Sequence, residues 1–253
     1  MACGTAAGTT GRYLRAVVAY DGTEMAGFQL QAGQRTVQKV LEDALETITQ
    51  ETIRVVGAGR TDSGVHALGQ VVAFHTNWRH SVGELMRAWN AVLPGDVAVL
   101  SVQEAEREFH PRFDAKSRWY RYSVWNHAVR NPLIRRTSMW VHETLALELM
   151  AGAASLLVGE HDYATFGSPP QGSNTVRHVL RATWSREGSM LYLDIEANAF
   201  LYRMARSIAG TLLQVGAGTL TVAQFGAQFR AADRSLAGPT APASGLCLMA
   251  VYY

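Results

Sequence analysis

The chain has 253 residues, 48% of them hydrophobic and 17% charged, with a formal net charge of +2. That is enough apolar material for one large domain or two small ones, and no apolar run approaches the ~18 residues of a membrane span. Two cysteines, Cys3 and Cys247, exclude a disulfide framework and a cysteine-ligated zinc site, and the scattered histidines lack ligand spacing, so no metal is expected. Met1 to Gly11 are small and polar, without the charged and apolar regions of a signal peptide. They read as a disordered tail on a cytoplasmic protein.

Residues Arg12 to Tyr20 alternate and are rich in Val and Tyr, which predicts a strand turned by Asp21-Gly22-Thr23. Met25 to Gln29 reads as a loop with an exposed aromatic, Phe28. Thr36 caps a helix whose Val37, Val40, Leu41, Ala44, Leu45 and Ile48 form one apolar stripe. Strands follow at Ile53 to Val56 and Gln70 to Thr76. Ser81-x-x-Glu84 is a capping box, opening a helix that carries Leu85, Trp89 and Val92 and stops at Pro94-Gly95-Asp96. With a strand at Val97 to Gln103, residues 12–104 read β-α-β-β-α-β, a split βαβ unit of the ferredoxin-like kind.

Residues 105–116 are polar and charged and form a connector. The second unit, residues 117–253, opens on a strand from Ser117 to Trp125. There Trp119, Arg121, Ser123 and Trp125 share one face, with Tyr120, Tyr122 and Val124 on the other. A helix from Leu145 to Val158 follows, then a long loop from Gly159 to Thr175 and strands at Arg177 to Ser185 and Met190 to Ala197. Helices at Phe200 to Gln214 and from Thr221 through Phe229, a Pro-containing loop and a strand from Leu246 to Tyr253 complete it. The order repeats with one extra helix. The predicted fold is α+β: two such units, antiparallel sheets side by side, helices on one face and an open central groove on the other.

One stretch reads as chemistry rather than packing: Gly57-Ala58-Gly59-Arg60-Thr61-Asp62-Ser63-Gly64-Val65-His66-Ala67. Glycines allow close backbone approach to a ligand, and a loop held between strands is a rigid mount for Asp62. An Asp in such a loop also serves commonly as a turn former. The third glycine of a dinucleotide fingerprint is missing, and so is the Gly-Lys-Ser/Thr of a phosphate loop. From Arg107 to Arg136 there are eight cations and two acids, a clustering that suits phosphate recognition by guanidinium forks.

The order Gly-Arg-Thr-Asp-x-Gly-Val-His-Ala resembles the signature of the TruA family of tRNA pseudouridine synthases, with Ser63 in place of the usual Ala. Further matches are Tyr20-Asp21-Gly22, Gly27-Phe28-Gln29, Phe109-His110-x-Arg112-Phe113, Arg118-x-Tyr120-Arg121-Tyr122, Asn198-Ala199-Phe200 and Ser244-Gly245-Leu246. The resemblance implies that Asp62 is the catalytic nucleophile and Tyr120 the active-site tyrosine. It implies that Arg206 pairs with the carboxylate, although Arg203 could serve instead, and that Leu246 packs under the base. Arg60 is placed to enter the space of a flipped-out uridine, Arg112 and Arg118 to hold phosphates, and Arg203 to contact the RNA. The substrate implied is the anticodon stem-loop of tRNA, at positions 38 to 40, held across a homodimer. No cofactor is expected, since the isomerisation involves no redox or group transfer. The rival readings are a non-catalytic RNA-binding protein and a small-molecule enzyme of the same fold.

Overall fold

The computed structural model describes residues 11–253; the rest of the expected tail, including Cys3, lies outside the described residues. The first half contains β1 (Arg12–Tyr20), α1 (Val37–Thr49), β2 (Val56–Gly57), β3 (His66–Thr76), α2 (Val82–Val92) and β4 (Val97–Glu104). The second contains β5 (Ser117–Asn126), β6 (Met139–Val141), α3 (Leu147–Ser155), β7 (Gly159–Asp162), β8 (Val176–Glu187) and β9 (Met190–Ala197). It closes with α4 (Met204–Gly216), α5 (Val222–Arg230) and β10 (Leu246–Tyr252).

Local chemistry starts these helices. The Thr36 hydroxyl accepts from Lys39 N at 3.3 Å, satisfying a donor that α1 leaves open. Ser81 and Glu84 close a capping box on α2, and Thr221 and Gln224 do the same on α5. Val37, Leu41, Ala44 and Leu45 bury the apolar stripe of α1, while Leu85 and Trp89 bury that of α2. Val92, expected on the same stripe, is exposed.

The expected pair of side-by-side sheets is instead one continuous ten-stranded sheet, in the order β4-β1-β3-β10-β5-β9-β8-β7, with β2 on β3 and β6 on β5. The joint is β10. It runs antiparallel to β5 and parallel to β3, through the pairs Cys247↔His66 and Leu248↔Ala67. The physical reason is edge satisfaction: β3 and β5 each present unpaired backbone groups, and one strand between them answers both. Gly69 permits the approach, because a Cβ there would stand 2.3 Å from Met249 O.

Each half keeps its own core. Leu14, Val18, Leu41, Leu45, Phe74 and Trp89 build the first; Tyr122, Val124, Leu193, Ile208, Leu212 and Phe225 build the second. The joint exchanges residues in both directions: Val65 sits in the second core, while Leu248 and the partly buried Val251 pack in the first. Leu246 and Leu248 share a side of β10, so all five helices pack on one face of the sheet. Tyr120 touches both cores. Tyr120 therefore stands on the helix-bearing face, where the two cores meet. The helix-free face instead carries Trp119 and Arg121, closed by an Arg121–Asp194 ion pair at 2.9 Å.

Candidate active site

Asp62 lies between β2 and β3, on a loop held from several sides. Ala58 N donates to Val71 O at 2.8 Å, and Phe28 N donates to Thr61 O at 3.0 Å. The Gln70 side-chain amide donates to Gly59 O at 2.8 Å, and the Ser63 hydroxyl to Met25 O at 3.1 Å. Thr61 is buried, its hydroxyl 2.8 Å from the Tyr20 hydroxyl, and burial pushes the Tyr20 phenol well above its ordinary pKa. Gly27 has φ +93°, and a Cβ there would stand 2.7 Å from Thr61 O. Phe28, expected to be exposed, is 2% exposed and packs beneath Gly57. Tyr20 and Gln70 had no place in the sequence reading of the site. Their signal was available: a polar amide inside the apolar strand β3 has to find a buried partner.

Arg206 arrives from the other half. The predicted helix start at Phe200 moves to Met204, because Arg203 takes a left-handed φ of +61° that no helix continues through. That places Arg206 in the first turn of α4. Its Nη1 donates to Asp62 Oδ2 at 3.1 Å and its Nε to Ala241 O at 2.8 Å. Both side chains of the pair are largely buried, at 16% and 23% exposure. The Arg203 guanidinium instead lies over the exposed Tyr202 ring, 4.9 Å from its centroid. Of the two arginines left open by the sequence, Arg206 is the one that meets Asp62.

Tyr120 stands on β5 with its ring edge-on to Phe200, centroids 4.9 Å apart. Burial pushes its phenol up to about 12; the Arg118 cation opposes the shift and the Asp62 charge adds to it. The hydroxyl therefore keeps its proton at neutral pH and is available as a donor. Leu246, 6% exposed, opens β10 opposite Tyr122. The site thus offers a carboxylate, its guanidinium partner and a protonated phenol at the junction of two apolar cores.

The other basic candidates separate. Arg60 is exposed, and its Nε donates to Gln29 at 3.1 Å. Arg112 is exposed, over the ring of an exposed Phe113. Arg118 contrasts with both. Its Nη1 donates to Ala115 O at 3.2 Å and Asn198 O at 2.8 Å, and its Nη2 to Ala58 O at 3.2 Å and Arg112 O at 2.5 Å. All four Nη donors of Arg118 are thus taken by main-chain carbonyls.

Fold and site together place a partly buried carboxylate beside a counter-ion supplied by the far half of the chain. The chain belongs to the tRNA pseudouridine synthase family, whose profile matches residues 16–114 and 153–253. It is 46% identical over 250 residues to the tRNA pseudouridine synthase A of Chloroflexus aurantiacus, spanning 96% of this chain and 89% of that protein. It is 43% identical to the tRNA pseudouridine synthase A of Geobacillus kaustophilus, across 95% of this chain and 94% of that one. Identity is also 43% to the enzyme of the same name from Moorella thermoacetica, across 95% and 99%. This family consists of isomerases acting on uridine in tRNA.

Proposed function

We propose that the chain isomerises uridine to pseudouridine in the anticodon stem-loop of tRNA, at positions 38 to 40, with Asp62 as the nucleophile. The observation that carries the reading is the Asp62–Arg206 ion pair, formed by residues 144 apart in sequence near the half-buried Tyr120. A carboxylate nucleophile can break and remake the bond between base and ribose by covalent catalysis. Arg206 aims the carboxylate and balances its charge. Tyr120 stacks on the base and lends a proton donor, while Leu246 packs beneath. The step is an internal rearrangement, so it needs no cofactor.

The target base has to leave its stack, at a cost of about a few kcal/mol. Arg60, exposed on the same loop as Asp62, fills the vacated space. Arg112 and the neighbouring cations, with Arg203 at the rim, track phosphates and set register. We read the two halves as ferredoxin-like units, 12–104 and 117–253, with a central cleft between them. The support is their strand orders, β4-β1-β3-β2 and β10-β5-β9-β8, which correspond position by position. The enzyme works in the cytoplasm as a homodimer that holds one tRNA across both subunits.

The decisive experiment is Asp62→Asn on unmodified tRNA transcript. Turnover should fall by about 10³-fold or more, the scale of losing a nucleophile, while tRNA binding persists. Turnover near the parent's would reject the nucleophile role. Mapping the modified positions by sequencing checks the stem-loop assignment.

A further inference from the structure

Arg118 is a partly buried cation with no carboxylate among its hydrogen-bond partners. It has four donors on its two Nη atoms, and four main-chain carbonyls take them. Those carbonyls come from three separate segments. Ala58 belongs to the loop that carries Asp62. Arg112 and Ala115 belong to the connector. Asn198 leads from β9 towards α4, which carries Arg206. Arg118 stands two residues before Tyr120 on β5, on the same side of the strand. The family profile does not extend over residues 115–152, so this arrangement is read from the chain's own geometry.

We propose that Arg118 is a positioning residue: its filled fork fixes the Asp62 loop and the approach to α4 against one point of β5, and so sets how the Asp62 carboxylate, the Arg206 guanidinium and the Tyr120 phenol meet. Carbonyls alone make a suitable set of partners. They hold the plane of the guanidinium from several directions without adding a second negative charge that would compete with Asp62 for Arg206. A lysine keeps the charge but offers three donors in a cone rather than a planar fork, so it cannot hold all four carbonyls. The inference rests on the reading of Asp62 and Arg206 as the reacting pair.

The test compares Arg118→Met and Arg118→Lys with the parent on unmodified tRNA, well below the unfolding midpoint and with rates normalised to folded protein. Both variants should lower kcat by about 30-fold or more with KM changed by less than about 3-fold, the signature of lost organisation of the reacting groups. The salt dependence of tRNA binding should keep the parent's slope, whereas Arg112→Ala, a phosphate contact, reduces the slope by about one unit. A parental kcat per folded molecule in either variant overturns the inference. So does an Arg118→Met variant whose slope falls like that of Arg112→Ala, because Arg118 is then a phosphate ligand. If Arg118→Met does not fold, Arg118→Lys alone decides, since it keeps stem and charge and loses only the fork. Asp62→Asn, run in parallel, separates the two failures. An active Asp62→Asn rejects the site, while an inactive one beside a normal Arg118→Lys rejects only the positioning role.

Discussion

Asp62 and Arg206 are each more than three-quarters buried, so neither is cheaply left alone. Removing one partner of a buried pair strands the other charge, at a cost of about 3–5 kcal/mol when burial is complete and less here. Arg206→Ala should therefore act twice. It should lower turnover by about 10²–10³-fold, as losing a preorganised electrostatic partner does. It should also lower the unfolding midpoint, which a melting curve reads independently. Arg206→Lys should retain more stability than turnover, because a point charge cannot reach Asp62 and Ala241 O together in the same plane. The Asp62 loop stood out in the sequence through its resemblance to the family signature, whereas its glycines alone suited a turn equally well. The choice of Arg206 over Arg203 was not. Three positions apart, the two are neighbours on a helix face, and only the left-handed φ at Arg203 separates them.

At the scale of the element, the capped and amphipathic helices were the easiest to read. Thr36, Ser81 and Thr221 are local signals that act within one turn. The failures are of another kind. β2 spans only Val56–Gly57, where Ile53 to Val56 looked like a strand, and β3 begins at His66 rather than Gln70. Both shifts follow from pairing partners far away in sequence: His66 and Ala67 are strand because Cys247 and Leu248 lie beside them. The three-residue β6 and the four-residue β7 were missed for the same reason. Short strands carry too few residues to show a period. The Asp62 loop itself rests on a second loop packed against it, which gives a prediction. Gly27→Ala puts a Cβ into contact with Thr61 O and forces a positive φ on alanine. The strain of about 1–3 kcal/mol should displace the Asp62 loop. Turnover should fall more than tRNA binding does, as steady-state kinetics and a binding titration would report. An unchanged kcat would mean that the 22–29 loop does not set the position of Asp62.

For the whole molecule, the unusual charge feature is a set of buried phenols. Tyr20, Tyr120 and Tyr122 are each held above the ordinary value of 10.0, first by burial. The sign follows from linkage. The folded state binds these protons more tightly than the unfolded state, so the stabilisation is complete below pH 10 and is lost as pH rises from 10 towards about 12, the folded value of Tyr120. Denaturant midpoints should accordingly hold steady up to about pH 9 and fall steeply beyond about pH 10. Ultraviolet absorbance should show tyrosinate appearing with unfolding rather than before it. A midpoint flat through pH 11 would contradict the burial of these hydroxyls. Composition anticipated cores large enough to bury them; it did not reveal that the two cores would be joined along one sheet.

That joint has a bearing on how the enzyme comes into being. β10 is translated after every other described strand, and at roughly 5–20 residues per second the first half has many seconds in which to fold with only the short β2 on the outer edge of β3. Until the last segment threads between β3 and β5, the acid and its arginine have no fixed relation to each other. Ribosome-bound chains arrested before Leu246 should thus carry a formed first half, a second half lacking one strand, and no working catalyst. Biosynthesis would then hold the nascent protein silent towards the tRNAs crowding the ribosome and switch it on as β10 joins the sheet.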